Sequence, residues 1–257
     1  MKYSNPIFIG LLLVFSFNIL NAQENTETSE AETSEQDTYH PFDFNLQVKN
    51  MHLWRGFRVT DAPMTGARVH YTSRNGKFDA GFWGGAGFNG DYTEIDYYVS
   101  YATNGFSIAL WDINNYSNFP DAEIFDYDKS TTSHFVDLTI AYTFQQFPLK
   151  ASWSTILLGR DTYVTESGGL ENAYSNYIEL SYNLLEKEHS TLNVSIAGTF
   201  SPRHDAHFYG SRTINNFAIT YSKEVKLLKE LSLPVSAMAL WNADQKFASI
   251  QIAIDFF

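Results

Sequence analysis

The chain has 257 residues, enough for one domain with a tail, and its formal charge of −12 excludes a nucleic-acid surface, which needs clustered Lys and Arg. The absence of Cys removes disulfide frameworks, thiol catalysis and a cysteine-linked lipid anchor. With 21 Phe, 16 Tyr and 5 Trp, the composition favours strands over helices.

Residues 1–22 have the form of an export signal. Lys2 supplies the charged start, Ile7 to Leu20 is mostly apolar, and Leu20-Asn21-Ala22 offers a small residue before a cut at Gln23. Residues 23–40 form an acidic linker in which the tetrapeptide ETSE occurs at 27–30 and again at 32–35. Six acidic side chains fall between Glu24 and Asp37 with no apolar partner, so this segment is expected to stay disordered.

From residue 41 to 257 the pattern changes to strands. Twelve candidates cover about 42–54, 66–74, 77–88, 92–102, 106–116, 133–144, 149–159, 173–184, 190–200, 212–222, 231–242 and 246–257. Phe42, Phe44, Leu46 and Val48 alternate with Asp43, Asn45, Gln47 and Lys49, and Ile250, Ile252, Ile254 and Phe256 alternate with Ser249, Gln251 and Asp255. A period of two puts one apolar face opposite one polar face. A soluble two-sheet sandwich would share that phase. Length and connections favour a different fold. Strands of roughly 9–11 residues, tilted, are what crosses a bilayer.

Asn104-Gly105, Ser73-Arg74-Asn75-Gly76 and Gln145 to Pro148 mark short turns at one end, and longer connections near 55–65, 117–132, 160–172 and 201–211 fall at the other. That asymmetry is the habit of outer-membrane barrels. Three connections depart from it: those near Asn89-Gly90 and Ala243-Asp244 are short at the long-loop end, and Lys223 to Glu230 is long at the short-turn end. The expected fold is all-β: a closed antiparallel up-and-down transmembrane β-barrel of about twelve strands. Aromatic residues near strand ends, Trp54, Tyr92, Tyr116, Phe144, Tyr182, Phe200 and Trp241, suit interfacial girdles. At the C-terminal end Phe256 is in phase with the apolar set and Phe257 is not, so Phe256 is the expected assembly signal.

The run Leu53-Trp54-Arg55-Gly56-Phe57-Arg58, then Asp61-Ala62-Pro63, Phe82-Trp83-Gly84-Gly85, Glu94-Ile95-Asp96-Tyr97-Tyr98 and Tyr116, resembles the conserved hypothetical bacterial proteins known as Gcw_chp. The resemblance covers about residues 44–120; one departure is Gly85, where Ser is common in that group. It implies an exported barrel without an assigned activity, because the motifs are structural rather than catalytic.

Catalysis has little support. A lipid-face hydrolase needs a nucleophile within reach of its base. His134 shares the phase of Val136 and Leu138 and is expected at the rim facing lipid, with Trp153, Thr155 and Leu157 as its outward neighbours, whereas Ser152 and Ser154 point inward. The loop Arg203-His204-Asp205-Ala206-His207 has metal-capable side chains but no helix to align them. No catalytic residue, metal site or cofactor is assigned.

The inward phase holds Lys49, Arg68, His70, Lys77, Asp79, Glu94, Asp96, Asp137, Lys150 and Glu179 as candidate lumen-lining residues. Charge at that density does not face lipid. Interleaved signs would close the bore as ion pairs and give a structural or surface-interaction barrel. Charges kept apart by water would line a narrow pore for small polar solutes, which is the favoured expectation; an outer-membrane hydrolase is the third. The expected location is the outer membrane of a Gram-negative bacterium, with membrane lipid and the barrel-assembly machinery as partners.

Overall fold

The structure, a computed structural model, describes residues 39–229 and 231–256. The signal segment, the linker up to residue 38, Glu230 and the terminal Phe257 lie outside the described residues.

In chain order the strands are β1 (Phe42–Lys49), β2 (His52–Trp54), β3 (Phe57–Thr60), β4 (Met64–Thr72), β5 (Phe78–Gly87), β6 (Thr93–Thr103), β7 (Phe106–Asn115) and β8 (His134–Thr143). They continue as β9 (Leu149–Gly159), β10 (Thr162–Val164), β11 (Leu170–Asn172), β12 (Asn176–Lys187), β13 (Ser190–Phe200), β14 (Thr213–Leu228), β15 (Leu231–Asn242) and β16 (Phe247–Asp255). Twelve of them close an antiparallel barrel in which each is hydrogen-bonded to its neighbour in sequence and β1 seals against β16. The other four form two small hairpins, β2–β3 and β10–β11, outside the barrel sheet. Closure leaves no sheet edge unpaired.

The turns follow from local chemistry. Asn104 and Gly105 adopt φ of 48° and 82°, the pair of positive angles that joins β6 to β7 in two residues. A Cβ at Gly105 would stand 2.3 Å from the Thr143 carbonyl oxygen on the next hairpin, so only glycine fits there.

Three sequence expectations are corrected. The first strand was expected to run to Trp54 but leaves the wall at Lys49. Asn50 donates to the Ile250 carbonyl (3.1 Å) and accepts from the Ile252 amide (2.7 Å), capping the ladder with its side chain. The long connection expected from Lys223 to Glu230 does not exist. Lys223–Leu228 continue β14 and pair with β15, Leu228 opposite Leu231. Finally, β9 bulges opposite Val136 and Asp137, so Leu158 rather than Leu157 pairs with Val136 and stands outward.

The two faces of the wall differ as period two requires. Phe44, Val69, Phe82, Val99, Leu110, Ile178, Leu180, Ile219, Ile250 and Ile252 are exposed on the outside. Near the short-turn end an aromatic row runs around the outside: Phe42 against Tyr71 at 5.6 Å, Tyr71 against Phe78 at 6.4 Å, and Phe144 between Tyr142 and Phe147 at 5.1 and 4.8 Å. Trp241 stacks on Phe217 at 5.1 Å. Two of the expected girdle residues are not in it. Tyr92 is buried, and Trp54 packs inside the bore. About ten residues at ~3.4 Å, tilted ~40°, give a wall of roughly 26 Å, near the height of a bilayer's apolar band.

The packed core lies inside the barrel. Ile113, Phe135, Ile156, Tyr177, Ala197 and Tyr209 form it, with Trp54, Phe57, Trp111 and Phe208 packed against them.

Candidate functional site

The site is the bore, and the element that shapes it is the β2–β3 hairpin. His52-Leu53-Trp54 and Phe57-Arg58-Val59 are short runs flanking Arg55 and Gly56, whose φ values of 46° and 83° make the tip. The tip is fixed by its backbone as well as its side chains. The Asn242 side chain donates to the Gly56 carbonyl (2.9 Å), and the Leu53 amide donates to the Gln251 side chain (2.8 Å).

Arg55 anchors the hairpin across the lumen. Its guanidinium makes a two-pronged pair with Asp137 (2.6 and 2.8 Å) and donates to Tyr209 (2.7 Å), Thr139 (3.0 Å) and Ser154 (2.9 Å). Trp54 packs on its guanidinium plane, 4.6 Å from Cζ to the ring centre. Such a forked pair is strong and directional. Tyr209 and Phe208, from the connection between β13 and β14, fill the space beside Trp54 and Phe57.

Two cavities flank the hairpin, and Trp54, Arg55 and Thr139 line both. The larger, about 540 Å³, has three tryptophans (Trp54, Trp83, Trp111) together with Lys49, Glu94, Asp96 and Arg160 in its lining. The smaller, about 310 Å³, is lined by Lys150, Ser152, Ser154, Glu179, Asn193, Ser195 and Thr220, among others.

In the larger cavity each carboxylate is held by its own wall. The Asn115 side chain donates to Glu94 (2.7 Å), and the Asn114 amide donates to Asp96 (3.1 Å). Arg160, in the connection after β9, lies over the rings of Phe135 (5.2 Å), Phe119 (5.6 Å) and Phe208 (5.8 Å). Burial pulls its pKa down, and the nearby Glu94 and Asp96 pull it back up. His52, on the hairpin, stacks on Trp83 at 5.8 Å, and burial with the Lys49 charge drives its pKa down to about 3. It is therefore neutral in the bore.

The sequence-selected residues fall into separate places. Lys49, Glu94, Asp96 and Asp137 line the larger cavity; Lys150 and Glu179 line the smaller. Arg68, His70 and Asp79 follow the inward alternation of β4 and β5, where His70 meets Asp79 at 2.7 Å and Thr72 and Tyr98 also donate to Asp79. Lys77 does not belong with them. It is exposed in the turn before β5, because the turn that begins at Ser73 ends only at Phe78. Sequence reading missed Arg55, Arg160, His52 and Tyr209. A hairpin signal existed for the first, in two short runs around Arg55-Gly56.

His134 also differs from expectation. It keeps the outward phase, yet it is fully buried: Tyr127, from the connection between β7 and β8, covers it at 4.7 Å between ring centres. Its Nδ1 bonds Asp112 (2.7 Å), which also accepts from Tyr127 (2.5 Å). No protein atom bonds its Nε2, so a serine nucleophile is not in place. In the 203–207 loop, His204 stacks on Tyr163 at 5.0 Å and bonds the Ala206 carbonyl, and among the described residues no three His, Cys, Asp or Glu side chains converge as metal ligands.

No family model matches the chain, and no curated protein does. Among solved structures it is similar to the NanC porin, with a TM-score of 0.47 and 8% identity over 83% of this chain and 98% of that one. The KdgM porin gives 0.44 and 6% over 83% and 98%. An outer membrane channel from Pseudomonas putida F1 gives 0.43 and 10% over 88% and 98%. At such identity the likeness is one of barrel shape and says nothing of activity.

Proposed function

We propose that this chain is an outer-membrane barrel of a Gram-negative bacterium whose bore is a narrow pore for small polar solutes, constricted by the β2–β3 hairpin. The carrying observation is the state of the bore charges. Lys49, Glu94, Asp96 and Arg160 line a cavity of about 540 Å³, yet none of them has an opposite charge within 4.0 Å among the described residues. Charges that served only to close the bore would be paired, as Arg55 and Asp137 are. The apolar exterior supports a lipid surround, since an exposed belt of that extent is not compatible with water. Membership of the Gcw_chp group belongs to the same proposal. The residues that carry that resemblance include Trp54, Arg55, Phe57, Arg58, Trp83, Glu94 and Asp96, all of which line the larger cavity.

The test is current through the purified barrel in a planar bilayer. Small unitary steps are expected for the native chain, and larger ones for Arg55→Ala, which frees the hairpin tip. Silence from both would remove the pore and leave a structural barrel closed by its hairpin.

A further inference from the structure

The larger cavity holds both signs of charge on fixed mounts, and that arrangement selects a ligand. We infer that it binds a small zwitterionic solute, an amino-acid-like or short-peptide molecule, with its ammonium end at Glu94 and Asp96 and its carboxylate end at Arg160. The inference rests on the pore reading and names the class of solute the pore would take.

Four observations support it. Glu94 and Asp96 point from the same face of β6, two residues apart, and Asp96 is only 4% exposed. Arg160 has aromatic rings around it and no carboxylate within 4.0 Å, although Glu94 and Asp96 line the same cavity. Long side chains with room to move would collapse into pairs. Here the asparagines on the carboxylates and the three phenylalanines around Arg160 hold the two signs apart. His52, on the same lining, is 9% exposed and leaves Nδ1 buried with no protein partner, a polar atom available to a bound molecule. Trp83 and Trp111 add flat apolar walls, which suit either an ammonium over a ring face or an apolar side chain.

Electrostatics then discriminates between ligand classes. An anion satisfies Arg160 and is repelled by the negative charge that Glu94 and Asp96 hold between them; a cation meets the reverse. A neutral sugar leaves both sets half-desolvated and unpaired, which is costly in a confined site. Only a ligand carrying both charges pairs both ends at once.

The experiment uses the full chain in detergent micelles at neutral pH. Tryptophan fluorescence, checked by titration calorimetry, reports binding of four probes: glycyl-phenylalanine, its N-acetyl derivative, its C-terminal amide, and sucrose. The free dipeptide is expected to bind at least about tenfold more tightly than either blocked form, the size of one charge-assisted contact. Glu94→Gln should erase its advantage over the N-acetyl form while sparing the advantage over the amide, and Arg160→Gln should do the opposite. Equal binding of the free and blocked dipeptides, or sucrose binding as tightly as the dipeptide, overturns the inference. The probe series on the native chain decides the matter even if a variant fails to fold. Dipeptide binding without current keeps this site and removes the pore; current without preference among the probes keeps the pore and removes the site.

Discussion

The two halves of the barrel wall look alike from outside and differ inside. On β4 to β8 the inward positions carry Trp83, Glu94, Asp96, Trp111, Phe135 and Asp137. On β12 to β15 they carry Ser181, Asn193, Ser195, Asn216, Thr220 and Met238. Apart from Glu179, which accepts from the Tyr177 hydroxyl (2.9 Å), this half of the wall is neutral and pairs within itself: Asn193 donates to Ser181 and Asn183 (both 2.8 Å), and Asn216 to Tyr177 (2.7 Å). The first set is charged and aromatic and needs something from outside the wall. For Asp137 that is Arg55, from the inserted hairpin. Glu94 and Asp96 take one contact each from Asn115 and Asn114 of β7, within the wall, and otherwise face an open cavity. A wall satisfied by itself is scaffold; on the proposed pore reading, selectivity would reside in the wall that depends on inserted groups or solutes.

The largest expected effect comes from cutting the link between the hairpin and the charged wall. Arg55→Ala removes five hydrogen bonds and leaves Asp137, whose side chain is 1% exposed, as an unpaired buried carboxylate. Losing one partner of a buried pair costs about 3–5 kcal/mol. Denaturant titration followed by the loss of heat-modifiable gel mobility should show that drop, and Arg55→Ala with Asp137→Asn should recover part of it. If the double variant is no more stable than the single, Arg55 acts through packing on Trp54 rather than through charge.

The exterior offers the control, because there the two halves should behave alike. Val99 on β6 and Ile219 on β14 are 45% and 54% exposed on the outward face. Arginine at either should cost about 2–4 kcal/mol near the bilayer midplane. Ser100→Arg, one residue on and facing inward, should be much milder. A large difference between Val99→Arg and Ile219→Arg would mean that only one half faces lipid, and equal tolerance of Val99→Arg and Ser100→Arg would undo the register.

These registers were legible in the sequence because each barrel strand repeats one local rule. Phe78, Ala80 and Phe82 face out and Asp79, Gly81 and Trp83 face in, and no distant contact is needed to see it. The bore was legible only as a list of inward charges. Which of those charges meet depends on a hairpin that leaves the wall at Asn50, returns at Met64, and reaches Asp137, 82 residues away. Alternation carries no signal for that. Trp54 was read as a continuation of β1, since His52-Leu53-Trp54 also looks like strand; the break is made by the Asn50 side chain, a single polar residue. His134 was misplaced for a related reason. Its phase was right, but a tyrosine from the preceding loop covers it, and phase says nothing about loops.

The smallest expected effect tests the neutral half. Asn193 sits on β13 facing the 310 Å³ cavity, donating to Ser181 and Asn183 and accepting from Ser181 at 3.1 Å. All of these groups are uncharged, so losing the amide leaves a hydroxyl and a carboxamide, not an ion, without a partner. Those groups already border a cavity large enough for water, which needs only ~30 Å³ per molecule and two or more polar neighbours. Replacement of a protein hydrogen bond by one to water costs little, so Asn193→Ala should lose about 0.5–1.5 kcal/mol. The same denaturant titration measures it, alongside Arg55→Ala under identical conditions. A loss for Asn193→Ala as large as that for Arg55→Ala would show that the neutral residues act as one coupled network, and the division between a self-satisfied wall and a dependent one would fall. A small loss, with the probe affinities of the larger cavity unchanged, would fix the division at β9, whose Ser154 accepts from Arg55 and, with Ser152, also lines the smaller cavity.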